Sequence, residues 1–117
     1  MNKKTSLKVL CLGNSQTGKT SFINRLVFNT FSDNVVSTII GKNTEYKKDN
    51  LSLSIWDTPG QERFRSLTTI YMKNCDIIFL FFSITDRNSF EEIRSYYYNK
   101  VLDFCNNENP SKYKNNI

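Results

Sequence analysis

Gly13-Asn14-Ser15-Gln16-Thr17-Gly18-Lys19-Thr20 decides the fold, because it fits G-x-x-x-x-G-K-[ST] between a strand pattern and a helical pattern. Upstream, Leu7, Val9 and Cys11 fall on one side of an alternation and Leu10 and Leu12 on the other, so Ser6 to Leu12 predicts a strand buried on both faces. Downstream, Phe22, Ile23 and Leu26 share one side of a helix that starts at Lys19 and ends in the polar stretch Asn29 to Asn34. A turn of this kind aims backbone N–H groups at phosphate oxygens, and the helix N-terminus adds partial positive charge. Lys19 supplies a point charge for β- and γ-phosphates, and the Thr20 hydroxyl is a candidate Mg²⁺ ligand. Ser15, Gln16, Thr17, Gly18, Lys19, Thr20 and Ser21 are the candidate phosphate-contacting residues. Composition alone would produce the pattern on the order of two times in a thousand chains, so coincidence explains it poorly.

Working outward, Lys42 to Lys48 is polar enough for an edge strand, Asp49-Asn50 reads as a tight turn, and Leu51, Leu53 and Ile55 alternate with Ser52 and Ser54. That predicts a hairpin. Ile77 to Phe82 is the longest apolar run, six residues, and suits a central strand covered by helices on both faces. Ser89-Phe90-Glu91-Glu92 has the form of a capping box, after which Phe90, Ile93, Tyr97, Val101 and Phe104 repeat at helical spacing. Asn106 to Asn116 is rich in Asn and Lys around Pro110 and reads as loop. The order strand, helix, two strands, loop, strand, helix gives an α/β protein with a mostly parallel sheet and one antiparallel hairpin.

A second motif follows the hairpin. Asp57, at the end of the strand Leu51 to Ile55, stands where a carboxylate can hold the Mg²⁺ hydration shell, and Gly60 lets backbone approach a γ-phosphate. Gln61 is the catalytic candidate: beside the γ-phosphate it can orient an attacking water, so catalysis would be positioning and electrostatics.

Composition narrows the alternatives. The absence of histidine excludes His-dependent triads and His zinc ligands, and Cys11, Cys75 and Cys105 have no C-x-x-C spacing, so they read as structural thiols of a reducing compartment. An apolar run of six residues is far below the ~18 of a membrane span, and Lys8 interrupts the N-terminal Leu/Val stretch, which disfavours a secretory signal. A cytoplasmic chain is expected. The net charge of +5 is spread without a block of five or six like residues; it suits either acidic partners such as phosphates or membrane surfaces or a plain solvated surface, and no nucleic-acid partner is expected.

Trp56-Asp57-Thr58-Pro59-Gly60-Gln61-Glu62-Arg63-Phe64, together with Gly13 to Thr20, resembles the Ras superfamily of small GTPases, and W-D-T-x-G-Q-E-R-F is similar to its Rab branch. The likeness runs from about Ser6 to Phe104. It implies a P-loop nucleotide-binding fold, GTP/GDP and Mg²⁺ as cofactors, hydrolysis of GTP to GDP, a link to vesicle traffic, and association with a membrane surface. It further implies that Thr38 completes the Mg²⁺ shell, that Phe31 packs against the guanine ring, and that Ile84-Thr85-Asp86 ends the next strand. Exchange factors, GTPase-activating proteins and effectors would read switch regions at about Phe31 to Gly41 and Asp57 to Lys73.

Four departures from the family pattern stand out. Gln16 replaces a small loop residue, so its side chain must point outward. Pro59 replaces the usual Ala and fixes φ at the start of the second switch. Ile40-Gly41-Lys42-Asn43 replaces Gly-Val-Asp-Phe, which leaves Trp56 and Tyr71 readable either as packing residues or as a partner-reading pair. The guanine-reading N-K-x-D motif and the prenylation cysteine have no counterpart in these 117 residues. The chain therefore reads as a tail (1–5), the N-terminal part of a small GTPase domain (6–107) and a polar loop (108–117). It lacks the last two strands and helices of the family fold, so Ile77 to Phe82 would be left as an edge. A truncated, non-enzymatic product acting through its switch surface, or without function alone, and an ATP-using protein remain as other readings.

Overall fold

The computed structural model describes residues 3–32, 42–58, 60 and 68–108. Strand β1 (Thr5–Gly13) leads into helix α1 (Lys19–Phe28); β2 (Lys42–Lys48) and β3 (Leu51–Asp57) follow, then the short α2 (Thr68–Met72), β4 (Ile77–Phe81), α3 (Arg87–Glu92) and α4 (Tyr98–Glu108). The four strands form one sheet in the order β2-β3-β1-β4, with β1 parallel to β3 and β4 and with β2 antiparallel to β3. This is the mixed, mostly parallel α/β sheet expected from the sequence. Asp49 closes the hairpin with a left-handed φ of 54°, a conformation that Asp tolerates better than most residues.

Central β1 explains the double-sided apolar pattern. Its residues Val9 and Cys11 pack with Ile23 of α1 and Ile55 of β3 on one face. Leu10 and Leu12 pack on the other with Met72, Cys75, Tyr97, Val101, Phe104 and Cys105. Both faces of one strand thus anchor the two halves of the core, and burial at about 25 cal/mol per Å² of apolar surface supplies the main stabilisation. At the C-terminal end of β1, Gly13 lies so close to β4 that a Cβ would sit 2.3 Å from the Phe81 carbonyl oxygen. Only glycine lets the two strands meet there.

Several sequence expectations need correction. Among the described residues β4 pairs with β1 alone, so it is an edge and not a central strand, and Phe79 is 42% exposed, although Ile78 and Leu80 pack toward α4 and Ile77 and Phe81 toward α1. The family resemblance anticipated that edge; the apolar run alone did not. In α1, Ile23 is buried while Phe22 and Leu26 are exposed; Phe22 packs edge-on against Phe79 and Phe81 at 6.1 and 5.5 Å between ring centroids. Ile84-Thr85-Asp86 does not end a strand: β4 stops at Phe81, Ile84 is 94% exposed in a turn, and Asp86 is the N-cap of α3.

The proposed capping box is also displaced. Ser89 lies inside α3, fully buried, where its hydroxyl donates to the Asp86 carbonyl at 2.7 Å and accepts from the Ser83 N–H at 2.8 Å. Ser89 therefore fastens the turn between β4 and α3, a different task from capping. A π turn at Ile93–Tyr97 joins α3 to α4, with the Tyr98 N–H donating to Ile93 five residues back. The wider turn absorbs one residue, so Ser89 and Tyr97, about 80° apart in a regular helix, come into line on the sheet-facing side, and Phe90 turns outward onto Phe82. α4 continues to Glu108, past the expected start of the loop at Asn106.

Candidate functional site

The C-terminal ends of parallel β1 and β3 place the loop after Gly13 beside Asp57, since Cys11 and Asp57 are register partners. Such a carboxyl-end crevice is where open α/β sheets bind ligands. Gly18 is the N-cap of α1, and Lys19 and Thr20 form its first turn. Lys19 is buried; its ammonium donates to the Gly13 carbonyl at 2.9 Å and the Asn14 carbonyl at 2.6 Å. The Thr17 hydroxyl donates to the same Asn14 oxygen at 2.7 Å, which closes the loop on itself. Burial lowers the Lys19 pKa from 10.5 to about 8, against the opposing pull of the Asp57 carboxylate.

Across the crevice the Thr20 hydroxyl hydrogen-bonds the Asp57 carboxylate. Asp57 is itself buried, as is Thr58, whose hydroxyl donates to the Cys11 carbonyl at 2.6 Å. That bond carries the contact between β1 and β3 one residue beyond the end of their ladder and fixes the strand end that presents Asp57. Gly60 then packs on the loop: a Cβ there would lie 2.2 Å from the Ser15 backbone nitrogen and 2.7 Å from the Gly13 carbonyl oxygen. No other residue type fits without moving the loop.

The structure thus gathers Ser15, Thr17, Gly18, Lys19, Thr20, Asp57 and Gly60 at one end of the sheet, with Ser21 one position further along α1. Gln16 is exposed, as its outward reading requires, and adopts a left-handed φ of 61°. Phe31 is 62% exposed. Thr38 and Gln61 lie outside the described residues, as does Pro59. Thr58 has a role that its motif does not mark, although a hydroxyl next to a strand-end carboxylate is a natural bridge to the neighbouring strand. Asn14, whose carbonyl takes two donors, carried no signal because any residue supplies a carbonyl.

The donor set suits a hard cation: a hydroxyl and a carboxylate in contact, with a buried ammonium nearby. Mg²⁺ needs only one or two carboxylates when phosphates complete its shell, so Asp57 and Thr20 fit the ion that the phosphate-binding loop implies. Beside the site, Trp56 and Tyr71 stand 6.1 Å apart and both pack against the core cluster of α4. The Lys8 ammonium lies 5.2 Å from the Trp56 ring and donates to the Lys73 carbonyl at 2.7 Å, tying β1 to the end of α2. Packing is therefore one role that both aromatics fill. The three cysteines are buried and free, in keeping with structural thiols, and burial pushes Cys11 up to about 12. Among the described residues no helix is long and apolar enough to cross a membrane.

A mostly parallel sheet, a glycine-bounded loop and a strand-end carboxylate facing the first helical turn define a protein of the phosphate-loop fold class. A family model described as Ras family matches residues 8–113, and the chain belongs to that family, as a Rab-like small GTPase. It is 39% identical over 110 residues to Ras-related protein Rab-9B of Homo sapiens, covering 86% of this chain and 55% of that protein. It is 38% identical over 98 residues to Rab-9A of Homo sapiens and 39% identical over 98 residues to Rab-7b of Bos taurus, each alignment covering 80% of this chain and 49% of the relative. The chain spans about half the length of the curated relatives it matches.

Proposed function

We propose that this chain carries the phosphate and Mg²⁺ half of a GTP/GDP site and that the protein it belongs to hydrolyses GTP to GDP as a switch in vesicle traffic. The contact between Thr20 and Asp57 beneath a loop held by Lys19 is the observation that carries this reading. Lys19 would exchange its carbonyl partners for β- and γ-phosphate oxygens, and the loop N–H groups and the N-terminus of α1 would hold the remaining negative charge. Thr20, Asp57 and Thr38 would hold Mg²⁺, which when bound neutralises charge on the phosphates. Gly60 would offer its N–H to the γ-phosphate and Gln61 would orient water, while Phe31 would cover the base. Exchange factors, GTPase-activating proteins and effectors would act on the switch segments around these residues.

Equilibrium titration of the purified chain with fluorescent GDP and GTP analogues, with and without Mg²⁺, tests the reading. Mg²⁺-dependent binding displaced by unlabelled GTP in preference to ATP is expected. Failure to hold either guanine nucleotide at micromolar concentration would end the claim for this polypeptide, and equal displacement by ATP would end the claim of guanine preference.

A further inference from the structure

The surplus positive charge finds no use at the nucleotide site, but strand register gathers part of it at the opposite end of the sheet. Thr5 of β1 and Lys48 of β2 are both register partners of Leu51, so they flank β3 about 10 Å apart. The Thr5 N–H donates to the Asn50 carbonyl at 2.8 Å, which holds the start of β1 against the hairpin turn. Lys3 and Lys4 therefore sit beside Lys47 and Lys48, and all four are exposed. Two carboxylates share this rim: Asp49 in the turn, and Glu45, which is 3.6 Å from Lys47 with both side chains open to solvent. Pairs of that kind screen little of the charge.

We propose that the lysine rim of Lys3, Lys4, Lys47 and Lys48 is a docking surface for an anionic membrane. Two features favour a lipid surface over an acidic protein. The cations of the rim are all lysine, a mobile and strongly hydrated point charge, while the described arginines, whose rigid forks suit individual carboxylates, lie on α1, on α3 and in the π turn after it. Of the large exposed apolar side chains, Phe79 and Ile84 lie toward the other end of the sheet, on and beyond β4, and no rim lysine brings an anchor of the kind that dominates protein interfaces. A diffuse sheet of negative charge needs neither fork nor anchor. The rim is about 26 Å from Gly13 along β1, so docking there leaves the nucleotide site facing away from the membrane.

The test is co-sedimentation of the chain with vesicles of phosphatidylcholine, with and without phosphatidylserine, across a salt series. Binding only to the phosphatidylserine vesicles, lost as salt rises, is expected. Replacing the four rim lysines by Gln should weaken it by about tenfold or more, while replacing Arg25, Arg87, Arg94 and Lys100 by Gln, an equal loss of charge, should change it by less than about threefold. In the unaltered chain, vesicles should protect the four rim lysines from acetylation. Equal loss in both variants, protection mapping elsewhere, indifference to phosphatidylserine, or tighter binding to polyglutamate than to vesicles would each overturn the proposal.

Discussion

The Thr20 hydroxyl and the Asp57 carboxylate, 37 residues apart in the chain, meet by a hydrogen bond between the first turn of α1 and the end of β3. Neither needs the other to fold its own element, so the contact is a property of the site. Asp57→Asn and Thr20→Ala should each reduce the Mg²⁺ dependence of nucleotide affinity by about tenfold or more. The check is to compare guanine-nucleotide affinity in Mg²⁺ and in chelator for each variant; a gap as wide as that of the unaltered chain would refute the assignment.

Thr58 acts one step behind that pair. Thr58→Val keeps the shape but leaves the Cys11 carbonyl without its hydroxyl donor, at a cost of about 1–3 kcal/mol, whereas Thr58→Ser should recover most of it. Denaturant titration of both variants measures the difference.

Gly60→Ala tests the close approach to the loop. A Cβ 2.2 Å from the Ser15 nitrogen meets backbone, which cannot swing aside, so overpacking of about 1–3 kcal/mol is expected. The melting temperature of the nucleotide-free chain should fall by about 5–15 °C.

Gln16 carries strain of another origin. Its left-handed φ of 61° is unfavourable for a residue with a Cβ, so Gln16→Gly should stabilise the nucleotide-free chain by about 1 kcal/mol, read by denaturant titration.

The Cys75 thiol gives an alkaline signature. Burial pushes it from 9.0 up to about 11, against the lowering effect of its bond to the Ile77 carbonyl. Above pH 9 the unfolded chain loses a proton that the folded chain keeps, so this contribution to stability is intact below pH 9 and is lost as pH rises through about 11. The difference in melting temperature between the unaltered chain and Cys75→Ala should narrow across that window.

Local pattern made β1, the hairpin and the loop with its first helical turn readable from the sequence, because each is specified by neighbours within a few residues. The partnership of Thr20 with Asp57 was readable only through motif order. What stayed hidden depended on distant packing. Phe90 looked like a core residue at helical spacing, yet it faces Phe82, because the π turn changes which side of the segment meets the sheet. Ser89 looked like a cap because S-x-x-E fits the box, and only the position of Ser83 shows its actual partner. The exposure of Phe79 follows from which strand lies beside β4, and strand order is not written in any single strand.

The wide turn at Ile93–Tyr97 works as a phase adjuster between two short helices. Deleting one residue within it would leave a smooth, fully hydrogen-bonded helix, so the segment itself would lose nothing. The deletion would also keep Ser89 in phase with Tyr97, Val101 and Phe104, because seven residues of regular helix turn through about 700°, within about 20° of two full turns. Forcing all of the same residues into a regular helix would instead rotate the stripe by about 100°, and one end would have to let go, either the latch on the turn after β4 or half of the core. Tolerance to length change in this segment is thus governed by angular phase, and the wide turn is the place where one residue can be lost.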